Sequence, residues 1–130
     1  MNPDQLTDFG RRYTAAWCSQ DAASVAAFFA ENGSLQINGG EPSVGRPAIA
    51  AAAQAFMTAF PDLIVAMDRA GVEGAGTVYR WTLTGTNSGP GGSGKPIRIS
   101  GYEEWTLGRD GLIAESRGHF DAADYADQLK

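Results

Sequence analysis

The residues best equipped for chemistry fall between Arg98 and Asp121. The stretch holds Glu104, Glu115 and Asp121, the guanidinium groups of Arg98 and Arg117, Tyr102, and His119, the chain's single histidine. Carboxylates beside an imidazole and a phenol are the equipment of general acid–base catalysis, since each can carry a proton when its surroundings tune it. Two antiparallel strands joined at Gly108-Arg109-Asp110-Gly111 would position them. Side chains alternate faces along a strand. One face of the hairpin therefore holds Arg98, Ser100, Tyr102, Glu104 and Thr106, with Ile113, Glu115, Arg117, His119 and Asp121. The other holds Ile97, Ile99, Gly101, Glu103, Trp105 and Leu107, with Leu112, Ala114, Ser116, Gly118 and Phe120. A bulge in either strand would break this division. Two arrangements stay open: the apolar face meets the core and the charged face meets water, or the charged face lines a pocket and the apolar face packs on a second subunit. Asp121 also stands where strand gives way to helix, with Asp124 three residues on, the pattern of a helix N-cap.

Composition narrows the chemistry. The 130 residues include one His and one Cys, too few for a Cys₄ or Cys₂His₂ zinc site or an internal disulfide. No metal, cofactor or thiol nucleophile is expected, and carboxylates are left as the main proton carriers. Cys18 reads as a small buried hydrophobe. Ten basic residues against fifteen acidic ones give a net charge of −5, which argues against nucleic acid and anionic membranes as partners. Hydrophobic residues at 43% and charged residues at 19% suit a globular chain, and the length suits a single domain over 1–130. The N-terminus lacks a basic segment followed by an apolar run, and no stretch approaches about 18 consecutive apolar residues. Neither a signal peptide nor a membrane span is expected, and a cytoplasmic location is.

The elements that must hold these residues change in type along the chain. Leu6, Phe9, Tyr13, Ala16 and Trp17 recur at helical spacing behind Asn2 and Pro3. Asp21 caps a short second helix carrying Val25, Phe28 and Phe29, ended by Gly33. A short strand over Leu35 to Asn38 precedes a loop, and Pro47 opens a third helix with Ile49, Ala52, Ala53, Phe56 and Phe60 on one face. Four β-rich segments follow, at about 63–73, 76–86, 96–107 and 112–121, and Ala122 to Leu129 reads as a terminal helix. Helices first and a meander of long strands after is an α+β pattern.

Gly89 to Gly94 matches G-x-G-x-x-G, and with Lys95 it matches G-x-x-x-x-G-K. Phosphate binding by either motif requires a helix directly after the glycines. Here Pro96 and Ile97-Arg98-Ile99 continue as strand, and Pro90 removes one backbone donor, so a hairpin loop is expected instead.

Several pieces, in order, resemble the SnoaL-like branch of the nuclear transport factor 2-like superfamily. They are Trp17 with Asp21 and Phe29, Gly45-Arg46-Pro47-Ala48-Ile49, Phe60-Pro61-Asp62-Leu63, Thr84-Gly85-Thr86-Asn87, Asp110 to Glu115, Phe120-Asp121 and Gln128-Leu129. The resemblance implies three N-terminal helices packed into a curved antiparallel sheet, a cone with a cavity at its wide end, and homodimers paired through the outer sheet face. It thereby favours a charged face that lines the cavity and an apolar, Trp105-bearing face that meets a second copy. It further implies aldol-type ring closure of a polyketide-like substrate by an acidic residue near the end of the last strand, matched here by Asp121. His119 would assist it as donor or relay, and Arg98, Tyr102, Arg117, Glu104 and Trp17 are candidates to contact a small apolar ligand. Two other enzyme types share the implied fold. Ketosteroid isomerase-like proteins carry their base on the early strand, where this chain has Asn38, which cannot take a proton. Limonene-epoxide hydrolase-like proteins use an Asp-Arg-Asp set, which Asp121, Arg98 or Arg117, and Glu104 or Glu115 could supply. A module that only binds a ligand or only dimerises is the non-enzymatic alternative.

Overall fold

Helix α1, Pro3–Cys18, starts on a reciprocal cap in which Asn2 Oδ1 accepts from the Gln5 N–H and Gln5 Oε1 accepts from the Asn2 N–H. The computed structural model describes residues 1–130. Helix α2, Ala22–Ala26, is capped by Asp21. Strand β1, Phe29–Ile37, and the short β2, Ser43–Val44, lead to helix α3, Arg46–Ala59. Four long strands follow: β3, Ile64–Glu73; β4, Gly76–Thr86; β5, Pro96–Leu107; and β6, Ile113–Phe120. Helix α4, Ala122–Leu129, ends the chain. The six strands form one curved sheet in the order β2-β1-β6-β5-β4-β3, with β1 parallel to β6 and every other pair antiparallel. The fold class is α+β, as the element order predicts. No helix is long and apolar enough to cross a membrane.

The second helix is shorter than its hydrophobic spacing suggests. Phe29 belongs to β1, where its carbonyl accepts from Arg46 Nε and the Phe28 carbonyl accepts from the Ile113 N–H. Gly33 lies inside that strand, not at a helix end. The register with β6 shifts between Phe29 and Ser34, and a Cβ on Gly33 would lie 2.9 Å from the Ile113 carbonyl oxygen. Cys18 is exposed, not buried. Its Sγ donates to the Val65 carbonyl at 3.2 Å and accepts from the Val65 N–H at 3.3 Å, which clasps the end of α1 to β3.

The glycine-rich loop runs into strand β5; Gly89 and Gly92 serve close packing, and Gly91 and Gly94 take positive φ angles. The Gly89 N–H and the Asn87 amide donate to the Ala59 carbonyl at the C-terminus of α3, supplying a partner that a helix end otherwise lacks. A Cβ on Gly89 would lie 2.0 Å from the Thr58 carbonyl oxygen, so only glycine fits.

Helices α1 to α3 cover the sheet face that carries Ile97, Ile99, Glu103 and Trp105, all buried. Trp105 stacks on Tyr79 at 5.0 Å between centroids and meets Phe9 and Tyr13 edge-on. This overturns the arrangement in which the apolar face meets a second subunit and the charged face lines the cavity. The apolar face is consumed by the chain's own helices, and the charged face is the uncovered, convex one. Ile113 also changes sides. The register shifts between Thr106 and Leu107, so Ile113 pairs with Leu107 and is fully buried.

Strand β5 outruns its neighbour, since β6 pairs with it only as far as Gly101 opposite Phe120. Beyond that point the Gln128 side chain accepts from the Arg98 N–H at 2.7 Å and donates to the Arg98 carbonyl at 2.9 Å. Tyr125 packs edge-on against Phe60 and Phe120, which completes the docking of α4.

Candidate functional site

Between α1, α3 and the covered sheet face lies a hollow of about 70 Å³. Its buried floor is made by Leu35, Val65, Tyr79, Leu83, Ile99 and Glu103. Its half-buried rim is made by Trp17, Ile37, Phe56, Trp81, His119 and Phe120. The sequence produces this lining by simple periodicities. Trp17 follows Tyr13 by four positions on α1, so both rings lie on one side of the helix. Tyr79, Trp81 and Leu83 alternate on β4, as Ile99 and Glu103 do on β5. Gly118 on β6 also borders the hollow and adds no side chain to it.

Glu103 is the only charged side chain among the buried residues. Its Oε1 accepts from the Tyr13 hydroxyl at 3.1 Å, Trp105 Nε1 at 3.0 Å and the Ser116 hydroxyl at 2.7 Å. Its Oε2 accepts only from the Tyr13 hydroxyl, at 3.3 Å. Burial pushes the Glu103 carboxyl up from its ordinary range, and the bonds from Ser116, Trp105 and Tyr13 pull the other way. Burial, then the Glu103 charge, holds the Tyr13 phenol well above its usual value. Burial likewise raises Tyr79, whose hydroxyl bonds to Thr14. Both phenols stay protonated at neutral pH. Glu103 shares its strand face with isoleucines and a tryptophan, so alternation alone does not single it out. A lone carboxylate on an apolar line, one residue pair away from Ser116, was the available signal.

The residues singled out from sequence divide between two surfaces. Trp17 and His119 border the hollow. The His119 ring, however, engages the convex side, with Nε2 at 2.7 Å from Glu104 Oε1 and the imidazole stacked on Tyr102 at 4.7 Å. Arg117 reaches Glu104 and Glu115, each at 3.6 Å. Arg98 is exposed on the same side. Asp121 is exposed and caps α4, with Oδ1 accepting from the Asp124 N–H at 3.0 Å. With Asp68, Arg80, Ser100, Tyr102 and His119 it borders a depression of about 400 Å³, open to water and lined mainly by residues with polar side chains. Replacing Asp121 with alanine should lower stability by about 0.5–2 kcal/mol, the usual value of an N-cap, and leave ligand uptake by the hollow unchanged. Urea midpoints and a binding titration on the same preparation would check both halves.

The family model for the SnoaL-like polyketide cyclase matches residues 7–129. A comparison with curated proteins finds no match. Among solved structures, an epoxide hydrolase/cyclase-like enzyme, SalBIII, described in pyran ring formation in salinomycin, aligns with a TM-score of 0.79 at 16% identity, covering 95% of each chain. A candidate SnoaL-like polyketide cyclase from Jannaschia sp. CCS1 aligns at 0.76 and 20% identity, covering 95% of this chain and 93% of its own. A protein with a ketosteroid isomerase-like fold from Catenulispora acidiphila, solved with trimethylamine, aligns at 0.80 and 15% identity, covering 94% and 92%. At these identities the likeness is one of fold.

Proposed function

Because the chain belongs to the SnoaL-like polyketide cyclase family, we propose that it binds a compact, largely apolar molecule in the hollow and performs acid–base chemistry there, with Glu103 as the proton carrier. The observation that supports this reading is a buried carboxylate, shifted upward by its surroundings, bordering an otherwise apolar hollow. A carboxylate of raised pKa is a stronger base toward a carbon acid. Glu103 takes a proton from the carbon beside a carbonyl and returns it once the bonds have reorganised, the step shared by isomerisation and aldol-type ring closure. Oε2 is the oxygen with lone pairs to spare. The enolate oxygen needs a donor; His119 borders the hollow, but its ring is turned to Glu104 and Tyr102 on the convex side, so in that role it would have to swing inward. Asp121, to which the resemblance assigns the proton transfer, is engaged as a helix cap outside the hollow. A second copy packed on the uncovered convex face, as the resemblance implies, belongs to the same proposal.

Volume limits the substrate. At about 30 Å³ per water, 70 Å³ holds roughly two water-sized groups. Even a small cyclic ketone requires the half-buried aromatic rim to part, and a fused polycyclic polyketide requires a much wider opening. Ligand binding without chemistry is the second reading, favoured by the full set of donors on Glu103 Oε1. Hydrogen–deuterium exchange at the α-carbon of cyclopentanone, followed by NMR in D₂O, separates the two. Catalysis predicts exchange above the buffer rate that is lost in Glu103→Gln and kept in Asp121→Asn. Binding with no added exchange would leave only the second reading.

A further inference from the structure

Two pairs of rings flank the mouth of the hollow, and they are held unequally. Trp17 and Phe56 meet edge-on at 6.3 Å between centroids. They come from α1 and α3, helices that bury Phe9 and Tyr13, and Ile49 and Met57, in the core. Trp81 and Phe120 form the second pair, at 6.2 Å. Trp81 lies so close over Gly101 that a Cβ there would meet its Cζ2 at 2.6 Å. Phe120 ends β6, and its backbone is pinned by its N–H, which donates to Asn38 Oδ1 at 2.9 Å. Its ring is backed by Tyr125 of α4, edge-on at 5.5 Å, and Tyr125 leans in turn on the buried Phe60 at 6.3 Å. Helix α4 has no buried residue, and segments with few buried contacts are the ones that open first.

We infer that Tyr125 is the latch of the hollow and sets the size of ligand it admits: while its ring abuts Phe120 the mouth stays shut, and when it withdraws the Phe120 ring turns outward from a fixed backbone. The inference rests on the proposed reading of the hollow as the ligand site. A shut hollow that holds roughly two water-sized groups takes a larger molecule only by such an opening. Of the aromatic rings at the mouth, Phe120 is the one backed by a helix with nothing buried. Tyr125 does not itself line the hollow, so it is a positioning residue that acts through Phe120. The contact broken on opening is one edge-on aromatic pair, and its removal should speed opening by roughly 2- to 10-fold.

Two probes test this on the full chain: xenon, a single apolar atom that needs no opening, and cyclopentanone, which does. NMR of the Val65 and Leu83 methyls, which line the hollow, reports both. Xenon should shift these methyls alike in wild type and in every variant. The exchange rate of cyclopentanone should rise roughly 2- to 10-fold in Tyr125→Ala. It should keep the wild-type value in Tyr125→Phe, which retains the ring, and in Gln128→Ala, which loosens α4 elsewhere. Phe120→Ala should exchange faster than wild type, and adding Tyr125→Ala to it should change nothing further. If Tyr125→Ala strips α4 from the sheet, seen as lost amide protection over 122–129, Tyr125→Leu carries the comparison. A wild-type rate in Tyr125→Ala, with xenon bound, overturns the inference while keeping the hollow as a ligand site. An equal acceleration in Gln128→Ala also overturns it, because the barrier is then the docking of the whole helix. Methyls that respond to neither probe overturn the ligand site and the inference together.

Discussion

Replacing Glu103 with leucine should cost the fold roughly 3–9 kcal/mol, because it strands three buried donors at about 1–3 kcal/mol each. That is most of the ~5–15 kcal/mol by which a domain is stable at all. The donors come from α1, β5 and β6, through Tyr13, Trp105 and Ser116, so no small local movement returns all three to water. Glu103→Gln keeps one carbonyl oxygen as acceptor and should cost less. Urea unfolding followed by tryptophan fluorescence would rank wild type, Gln and Leu in that order, and a leucine variant as stable as the glutamine one would contradict the account. The same residue sets a pH dependence. The fold raises the Glu103 pKa above its unfolded value near 4.3. The folded chain therefore holds this proton more tightly than the unfolded one. The stabilisation from that proton is full below the unfolded pKa and is lost as pH rises through the higher folded value. The thermal midpoint of wild type, compared with that of Glu103→Gln, should fall as pH rises from about 4 toward neutrality. A rising difference would mean that the three donors outweigh the burial.

Trp105→Ala should be nearly as damaging, at about 3–5 kcal/mol for a large aromatic removed from a packed interior. The ring touches Phe9, Tyr13 and Tyr79 and its Nε1 holds the carboxylate. The alanine variant combines a void with one lost donor, and loss of that donor lets the Glu103 pKa climb further. Trp105→Phe separates the two effects, since it keeps most of the packing and deletes only the N–H. Its thermal midpoint should fall by less, while its pH slope steepens as that of the alanine variant does.

How far the sequence reaches is visible in these residues. Glycine punctuation delimits β4 and β5 at 76–86 and 96–107, as observed, and Asp121 marks the start of α4. Alternation also states which residues share a face of the last hairpin from Glu115 to Phe120. It does not state which face the helices cover. That depends on where α1 to α3 return to the sheet, a long-range outcome that no local period encodes. Ile113 changed sides through a one-residue register shift, which leaves no mark in hydrophobicity. Cys18 ended exposed because α1 stops there, and its neighbour Trp17 turns inward instead. Glu103 was hidden by its company. The hairpin was sorted by average character, and the site rests on the one residue that departs from it.

The side-chain amide of Gln128 has a meaning beyond helix docking. Where β6 stops, β5 continues from Pro96 with backbone groups that no strand on that side satisfies. Such an overhang is a template for another chain in extended conformation. The glutamine presents an acceptor and a donor to Arg98 in the manner of a single residue of a neighbouring strand. The last turn of α4 therefore acts as a stopper on the sheet, and protection of this overhang from edge-to-edge aggregation depends on Gln128.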